Sequence, residues 1–129
     1  MAAFLTDEWF AMVANEAAAL PAVPGASLVM QHVIAGSPHG KVQAVLEVRD
    51  GQIVEVRAGK RADASCTVTW AFADAIAALR GDVALDVAFM RGDLKIEGDY
   101  TTFLFGLRPV FVSEAGAKVL AAIRSRTDD

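Results

Sequence analysis

The 129-residue chain has one cysteine and no run of about 18 uncharged apolar residues. A single cysteine cannot form an internal disulfide, and without a long apolar run the sequence contains no candidate membrane span. Two acidic residues, Asp7 and Glu8, stand near the start, where a secretory signal would carry basic ones, so we expect a cytoplasmic protein. The last residues lack a peroxisomal Ser-Lys-Leu signal, which together with the abundant alanine favours a bacterial protein.

The chain also lacks an excess of basic charge. Twelve Lys and Arg residues oppose sixteen Asp and Glu residues, giving a net charge of −4 with both signs interspersed. Proteins that bind nucleic acid present a basic patch to the phosphates, and none is visible in this sequence. We therefore expect no nucleic-acid partner.

Motifs for catalysis and metal binding are missing as well. There is no Gly-x-Ser-x-Gly nucleophile motif and no phosphate-binding glycine loop. His32 and His39 are not at the i, i+4 spacing of a helical zinc site, and Cys66 lies on the apolar face of a predicted strand with no base beside it in sequence. The sequence predicts no catalytic residue, no cofactor and no metal site.

What the chain does have is a surplus of apolar residues. They make up 54% of the sequence and give a mean hydropathy of +0.38. This composition and length predict a single globular domain over residues 1–129. Because the surplus is not in a membrane span, it lies in the interior, where part of it could face a cavity.

Apolar periodicity places the elements along the chain. A helix is expected after the N-cap residue Thr6, then four strands in which apolar and polar residues alternate up to Trp70. Two short helices ending at Gly81 and Gly92, a fifth strand through Leu94 and Ile96, and two further helices follow, the first capped by Asp99 and the last by Ser113. This order predicts an α+β fold, a mainly antiparallel five-stranded sheet with one face covered by helices.

The hairpin around Asp50-Gly51 allows a prediction of register. Val54, Val56 and Ala58 should share the apolar face of the preceding strand, whose inward residues are also even-numbered. A two-residue turn would contradict that pattern. We therefore predict a three-residue loop, residues 49–51, with Gly51 in the left-handed conformation and a bulge.

Three stretches resemble the lipid-binding domain of the sterol carrier protein 2 family. They are Ala62-Asp63 before the fourth strand, the short helix over residues 72–81, and residues 88–99. The third stretch, Ala-Phe-Met-Arg-Gly-Asp-Leu-Lys-Ile-Glu-Gly-Asp, is the most specific. Asp93 stands where the family often has Lys, a surface difference. The likeness extends over roughly residues 7 to 123.

The resemblance implies an apolar cavity between sheet and helices that holds a fatty acid, acyl-coenzyme A, sterol-like or isoprenoid molecule. The helices after residue 70 would form its wall, and core packing is the simpler role for each of their apolar side chains. The predicted ligand-binding residues are Phe72, Ile76, Phe89, Met90, Phe103, Leu104, Leu107, Phe111 and Ile123.

These observations predict a non-catalytic protein that binds or transfers an apolar lipid. Two alternatives stay open. The first is an accessory subunit of an enzyme of lipid or quinone biosynthesis, with a homodimer covering Phe105 or Phe111. The second is a small isomerase or dehydratase, which would need a buried His or Asp in the cavity. Transient contact with a membrane is a further open question.

Overall fold

The computed structural model describes residues 2–128 and contains the predicted succession of elements. In chain order they are β1 (Ala2–Ala3), α1 (Asp7–Ala17), β2 (Leu28–Ser37), β3 (Gly40–Arg49), β4 (Gln52–Ala58), β5 (Cys66–Ala71), α2 (Phe72–Arg80), α3 (Leu85–Arg91), β6 (Leu94–Gly98), a π-helix (Thr102–Gly106), α4 (Arg108–Phe111), α5 (Glu114–Arg126) and β7 (Thr127–Asp128). Within this part of the chain, no helix is long and apolar enough to cross a membrane.

Strands β2 to β6 form one sheet in the spatial order β4-β3-β2-β5-β6, and β1 and β7 form a separate short pair. All neighbours in the larger sheet are antiparallel except β2 and β5, which run parallel. Helices α1 and α2 pack against the sheet, and α5 contacts both of them. The predicted α+β fold with a mainly antiparallel five-stranded sheet is confirmed.

The parallel pairing of β2 with β5 depends on a loop that crosses the outer, polar face of the sheet. The Gln31 side chain donates to the carbonyl of Gly59 at 2.9 Å and accepts from the backbone N–H of Arg61 at 3.0 Å. The Arg61 guanidinium binds the carboxylates of Glu47 and Asp63, and its hydrogen bond lowers the pKa of Glu47. These polar contacts hold the crossover loop and leave the opposite face for the helices.

The turn between β3 and β4 has two residues, so the predicted three-residue loop is wrong. Asp50 and Gly51 both have positive φ, 49° and 82°, as in a type I′ turn, and Arg49 pairs directly with Gln52. The left-handed conformation of Gly51 is confirmed.

Contacts from a distant loop hold this turn. The backbone N–H of Val23 donates to the carbonyl of Asp50 at 2.6 Å, and that of Gly51 donates to the carbonyl of Ala26 at 2.8 Å. The alternation of apolar and polar residues in β3 and β4 does not predict these contacts.

A bulge in β4, and not a longer turn, changes the register between β3 and β4. Glu47 pairs with Glu55, whereas Val48 pairs with Ile53, so Val54 is an extra residue. One extra residue moves the neighbouring side chains to opposite faces. Ile53 therefore points inward and Val54 is 49% exposed, which makes the inward placement predicted for Val54 wrong.

Helix ends follow the predicted caps. The hydroxyls of Thr6 and Ser113 each accept a hydrogen bond from a backbone N–H three residues on, at 3.2 and 3.0 Å. Gly81 and Gly92 end α2 and α3 in the left-handed conformation, with φ of 79° and 80°. Each cap satisfies backbone groups that the helix leaves unpaired.

The helix predicted after Asp99 is a π-helix. The Asp99 carboxylate accepts from the N–H of Thr102 at 3.1 Å, as a cap does, and the N–H of Leu107 then donates to the carbonyl of Thr102 at 3.0 Å, five residues back. Pro109 has no N–H to donate to the carbonyl of Phe105, so an α-helical pattern could not continue through this segment.

Gly98 lies where β6 meets β5, and we expect Gly98→Ala to be markedly destabilising. Its φ is 93°, and an added Cβ would overlap the carbonyl oxygen of Ser65. Gly92→Ala is the matched control, because Gly92 has a similar φ of 80° but open space around it. We expect a loss of unfolding free energy of about 1 kcal/mol for Gly92→Ala and at least about 2 kcal/mol for Gly98→Ala, measured by urea denaturation. Equal losses would contradict this placement of β6.

Candidate ligand-binding cavity

A cavity of about 320 Å³ lies between the inward face of the sheet and the helices. This volume is at the lower end of the range of about 300 to 1,000 Å³ that is usual for small-molecule sites. Its sheet side is lined by strands β2 to β5, through the inward side chains of Met30, His32, Ile34, Ala44, Leu46, Ile53, Val56 and Trp70 and through Val45, which pairs with Gln31 of the outer face. Its other side is lined by Phe4, Leu5, Trp9, Phe10, Val13, Ala75, Ala78, Leu79, Leu85, Phe103, Phe111, Leu120 and Ile123.

Local sequence pattern explains why these side chains converge. In β2, successive residues point to opposite faces, so Met30, His32 and Ile34 all face inward. In α1, Trp9 and Val13 are four residues apart and therefore lie on the same side of the helix. The two periodicities place two apolar surfaces opposite each other.

Some of the predicted ligand-binding residues line this cavity. Phe103, Phe111 and Ile123 do so, and they come from the π-helix, α4 and α5.

The other predicted residues lie elsewhere. Phe72 packs on the Phe4 ring, Phe89 stacks on Tyr100, Leu107 is fully buried, and Ile76 is half-buried against the core. Met90 is 84% exposed, so its side chain faces solvent. Contact of these residues with a ligand stays a prediction.

Leu104 lines a second groove beside the cavity, of about 330 Å³. The groove and the cavity share lining residues, including Ala78, Phe103 and Phe111. Arg108 lies at the groove and pairs with Asp86 at 3.1 Å. The aromatic side chains of Phe103 and Phe111 therefore lie between an amphipathic groove and the apolar cavity.

The residues that the sequence analysis did not identify come mainly from α1 and from the sheet. Phe4, Trp9 and Phe10 form part of the wall at the N-terminal end of the chain, and Trp9 is fixed there by its indole N–H, which donates to the Thr127 hydroxyl at 2.8 Å. The helical spacing of Trp9 and Val13 marked an apolar side of α1, but the pattern does not indicate whether that side meets a core or a cavity.

His32 is the only ionisable side chain among the residues that line the cavity, as far as residues 2–128 are concerned. Its Nδ1 accepts a hydrogen bond from the indole N–H of Trp70 at 3.2 Å, and its Nε2 is buried with no partner. A neutral imidazole that accepts at Nδ1 carries its proton on Nε2, which makes Nε2 a donor. Burial lowers the pKa of His32 to about 4, so the ring is neutral at pH 7.

Neither the Cys66 thiol nor a metal site adds a reactive group to the described part of the chain. Burial raises the pKa of the Cys66 thiol to about 11, which keeps it protonated and weakly reactive. Within residues 2–128, no group of three or more His, Cys, Asp or Glu side chains is arranged to hold a metal ion.

Because burial favours neutral His32, we expect acid to destabilise the protein through this residue. Its pKa is about 4 in the folded protein and about 6.5 when unfolded, so the unfolded chain binds more protons as the pH falls from 6.5 to 4. Stability that is present above pH 6.5 should fall by about 3 kcal/mol over this interval.

The comparison of wild type with His32→Phe isolates this effect, because carboxylates that titrate in acid are common to both proteins. Urea unfolding at pH 4 and pH 7 should show a smaller loss of stability in the variant. The same loss in both proteins would mean that His32 is not buried as described.

Solved structures share this fold. A conserved hypothetical protein from Thermus thermophilus, described as possibly a sterol carrier protein, has a TM-score of 0.65 at 16% identity, covering 98% of this chain and 91% of that one. The palmitated sterol carrier protein 2-like 2 of Aedes aegypti has a TM-score of 0.59 at 17% identity, covering 93% and 95%. The sec-alkylsulfatase Pisa1 from Pseudomonas sp. has a TM-score of 0.54 at 21% identity, covering 78% of this chain but 16% of that one.

Sequence comparison identifies the family. No curated protein is significantly similar in sequence to the chain. Residues 10–104, however, match the SCP-2 sterol transfer family. Because this match spans most of the chain, the protein belongs to the SCP-2 sterol transfer family.

Proposed function

We propose that the protein binds the hydrocarbon part of one lipid molecule, a fatty acyl, sterol-like or isoprenoid chain, in the cavity and performs no reaction on it. Membership of the SCP-2 sterol transfer family suggests lipid binding or transfer, and domains of this family are generally non-catalytic. The observation that carries the proposal is the lining of the cavity, in which every side chain except that of His32 is apolar.

The energetics of such a site agree with a lipid ligand. Burial of a methylene contributes about 0.8 kcal/mol, so a palmitoyl chain would gain about 12 kcal/mol before costs. Association and ordering cost about 4 to 15 kcal/mol. At the lower end of that range about 8 kcal/mol remains, which corresponds to an affinity near micromolar. The Aedes aegypti protein of the same fold is described in palmitated form, which supports a palmitoyl chain as a first probe.

The groove beside the cavity supports a route of entry. Phe103 and Phe111 line both spaces, so displacement of these two rings would join them. The π-helix and the short α4 carry these side chains, and a segment broken by Pro109 bends more easily than a continuous α-helix.

Catalysis is less well supported than binding, although His32 lines the cavity as the isomerase or dehydratase alternative requires. A general base works best with a pKa near the working pH, and burial holds that of His32 at about 4. Its Nδ1 is also occupied by the Trp70 indole.

The accessory-subunit alternative needs an exposed apolar contact surface. Phe105 is 55% exposed, as a contact residue of a dimer would be, whereas Phe111 is half-buried and lines the cavity. Dimerisation through Phe105 or Phe111 and transient contact with a membrane stay predictions.

A substitution that fills the cavity should abolish most of the binding. Ala78 on α2 lines the cavity, whereas Ala73 on the same helix is exposed and is not among the lining residues. With a panel of fluorescent fatty acids, we expect the wild type and Ala73→Phe to bind equally and Ala78→Phe to bind at least about tenfold more weakly, because its ring occupies space that several methylenes would fill.

Circular dichroism should show that both variants fold. The proposal would be contradicted if the wild type bound no member of the panel, or if the two variants bound equally well.

A further inference from the structure

His32 places a hydrogen-bond donor in surroundings that offer it no partner. The residue lies on β2 between the inward side chains of Met30 and Ile34, and its Nε2 makes no hydrogen bond. Buried polar groups in proteins nearly always have a partner, and an orphaned donor costs stability. An apolar residue at this position would avoid that cost. The presence of an imidazole here therefore suggests that His32 has a function beyond packing.

The Trp70 indole determines what the free nitrogen can do. An indole N–H can only donate, so its 3.2 Å contact requires a lone pair on Nδ1 and assigns the imidazole proton to Nε2. Trp70 pairs with Ile34 across the parallel β2–β5 ladder, which holds both rings on a rigid part of the fold. Nε2 is therefore a donor and accepts nothing, and any ligand atom that meets it has to be an acceptor.

The rest of the cavity indicates the charge of that acceptor. No Lys or Arg side chain is among the described residues that line it. A carboxylate or phosphate taken into this space would be buried without a counterion, which is strongly unfavourable. An uncharged hydroxyl or carbonyl oxygen requires one donor and no counterion.

We propose that the cavity selects lipids that carry an uncharged hydroxyl or carbonyl oxygen, and that His32 Nε2–H donates a hydrogen bond to this oxygen. The inference rests on the proposed function and adds a ligand class to it. Trp70 is a positioning residue, because it acts by fixing the tautomer of His32.

Access to Nε2 involves Phe103. The Phe103 ring centre lies 6.2 Å from that of His32, and Nε2 is buried. A ligand oxygen can reach Nε2 only when a neighbouring group moves. Phe103 belongs to the π-helix, a conformation that occurs often at functional sites.

The test compares three probes of equal length, 1-dodecanol, 2-dodecanone and 1-dodecene, as competitors of a bound fluorescent hydrocarbon. Relative to its effect on dodecene, His32→Phe should weaken binding of the alcohol and the ketone by a further factor of at least about five. Comparing each probe between the two proteins cancels the different solubilities of the probes.

A second measurement needs no substitution. In the ¹⁵N NMR spectrum of the wild-type imidazole, dodecanol should shift the Nε2 resonance while Nδ1 keeps the shift of a hydrogen-bonded acceptor, and dodecene should move Nε2 much less. In Trp70→Phe, the two tautomers should interconvert and the preference for the alcohol should decrease. A purely structural His32 would give the same spectrum with both probes.

The outcomes separate the two proposals. Equal effects of His32→Phe on alcohol and hydrocarbon, with binding of both retained, would overturn the role of His32 and leave lipid binding intact. The same conclusion would follow if Nε2 did not respond to dodecanol that is bound. Failure of the wild type to bind any of the three probes or the fluorescent hydrocarbon would overturn both proposals.

Discussion

The inward face of the sheet has to be covered by several helices, most of which are shorter than the sheet is wide. A helix rises about 1.5 Å per residue, so the nine-residue α2 is about 14 Å long. Strands lie about 4.8 Å apart, which makes a five-stranded sheet about 19 Å wide. The cover is therefore assembled from α1, α2, the π-helix and α5, and these pieces do not fill all the space above the strands. The apolar cavity lies in the space that remains.

The two faces of the sheet have different roles. The polar outer face, where Arg61 and Glu47 hold the crossover loop, stabilises the sheet without using its inward side. The inward side is then free to present apolar surface, interrupted at one point by His32. Because neither a charged side chain nor a metal cluster accompanies that imidazole among the described residues, the chemistry available to a ligand is burial of hydrocarbon and a single hydrogen bond.

Much of the fold could be predicted from the sequence because its determinants are local. The caps at Thr6 and Ser113 and the left-handed Gly81 follow from rules that act within a few residues. The bulge at Val54 could not be predicted in this way, since contacts from the loop before β2 fix the adjacent turn. The cavity wall was predicted only in part, because periodicity shows that Met90 lies on a helix but not which neighbour its side would meet.

The central claim is that the space under the helices holds a lipid, and the most direct test is native mass spectrometry of the protein as purified from cells, with solvent extraction of what it carries. The account predicts a bound species of lipid mass that extraction removes, and fragmentation should identify an uncharged molecule with at least one hydroxyl or carbonyl oxygen. A protein that repeatedly shows the mass of the bare chain, and takes up no lipid when extracts of the same cells are added back, would contradict it.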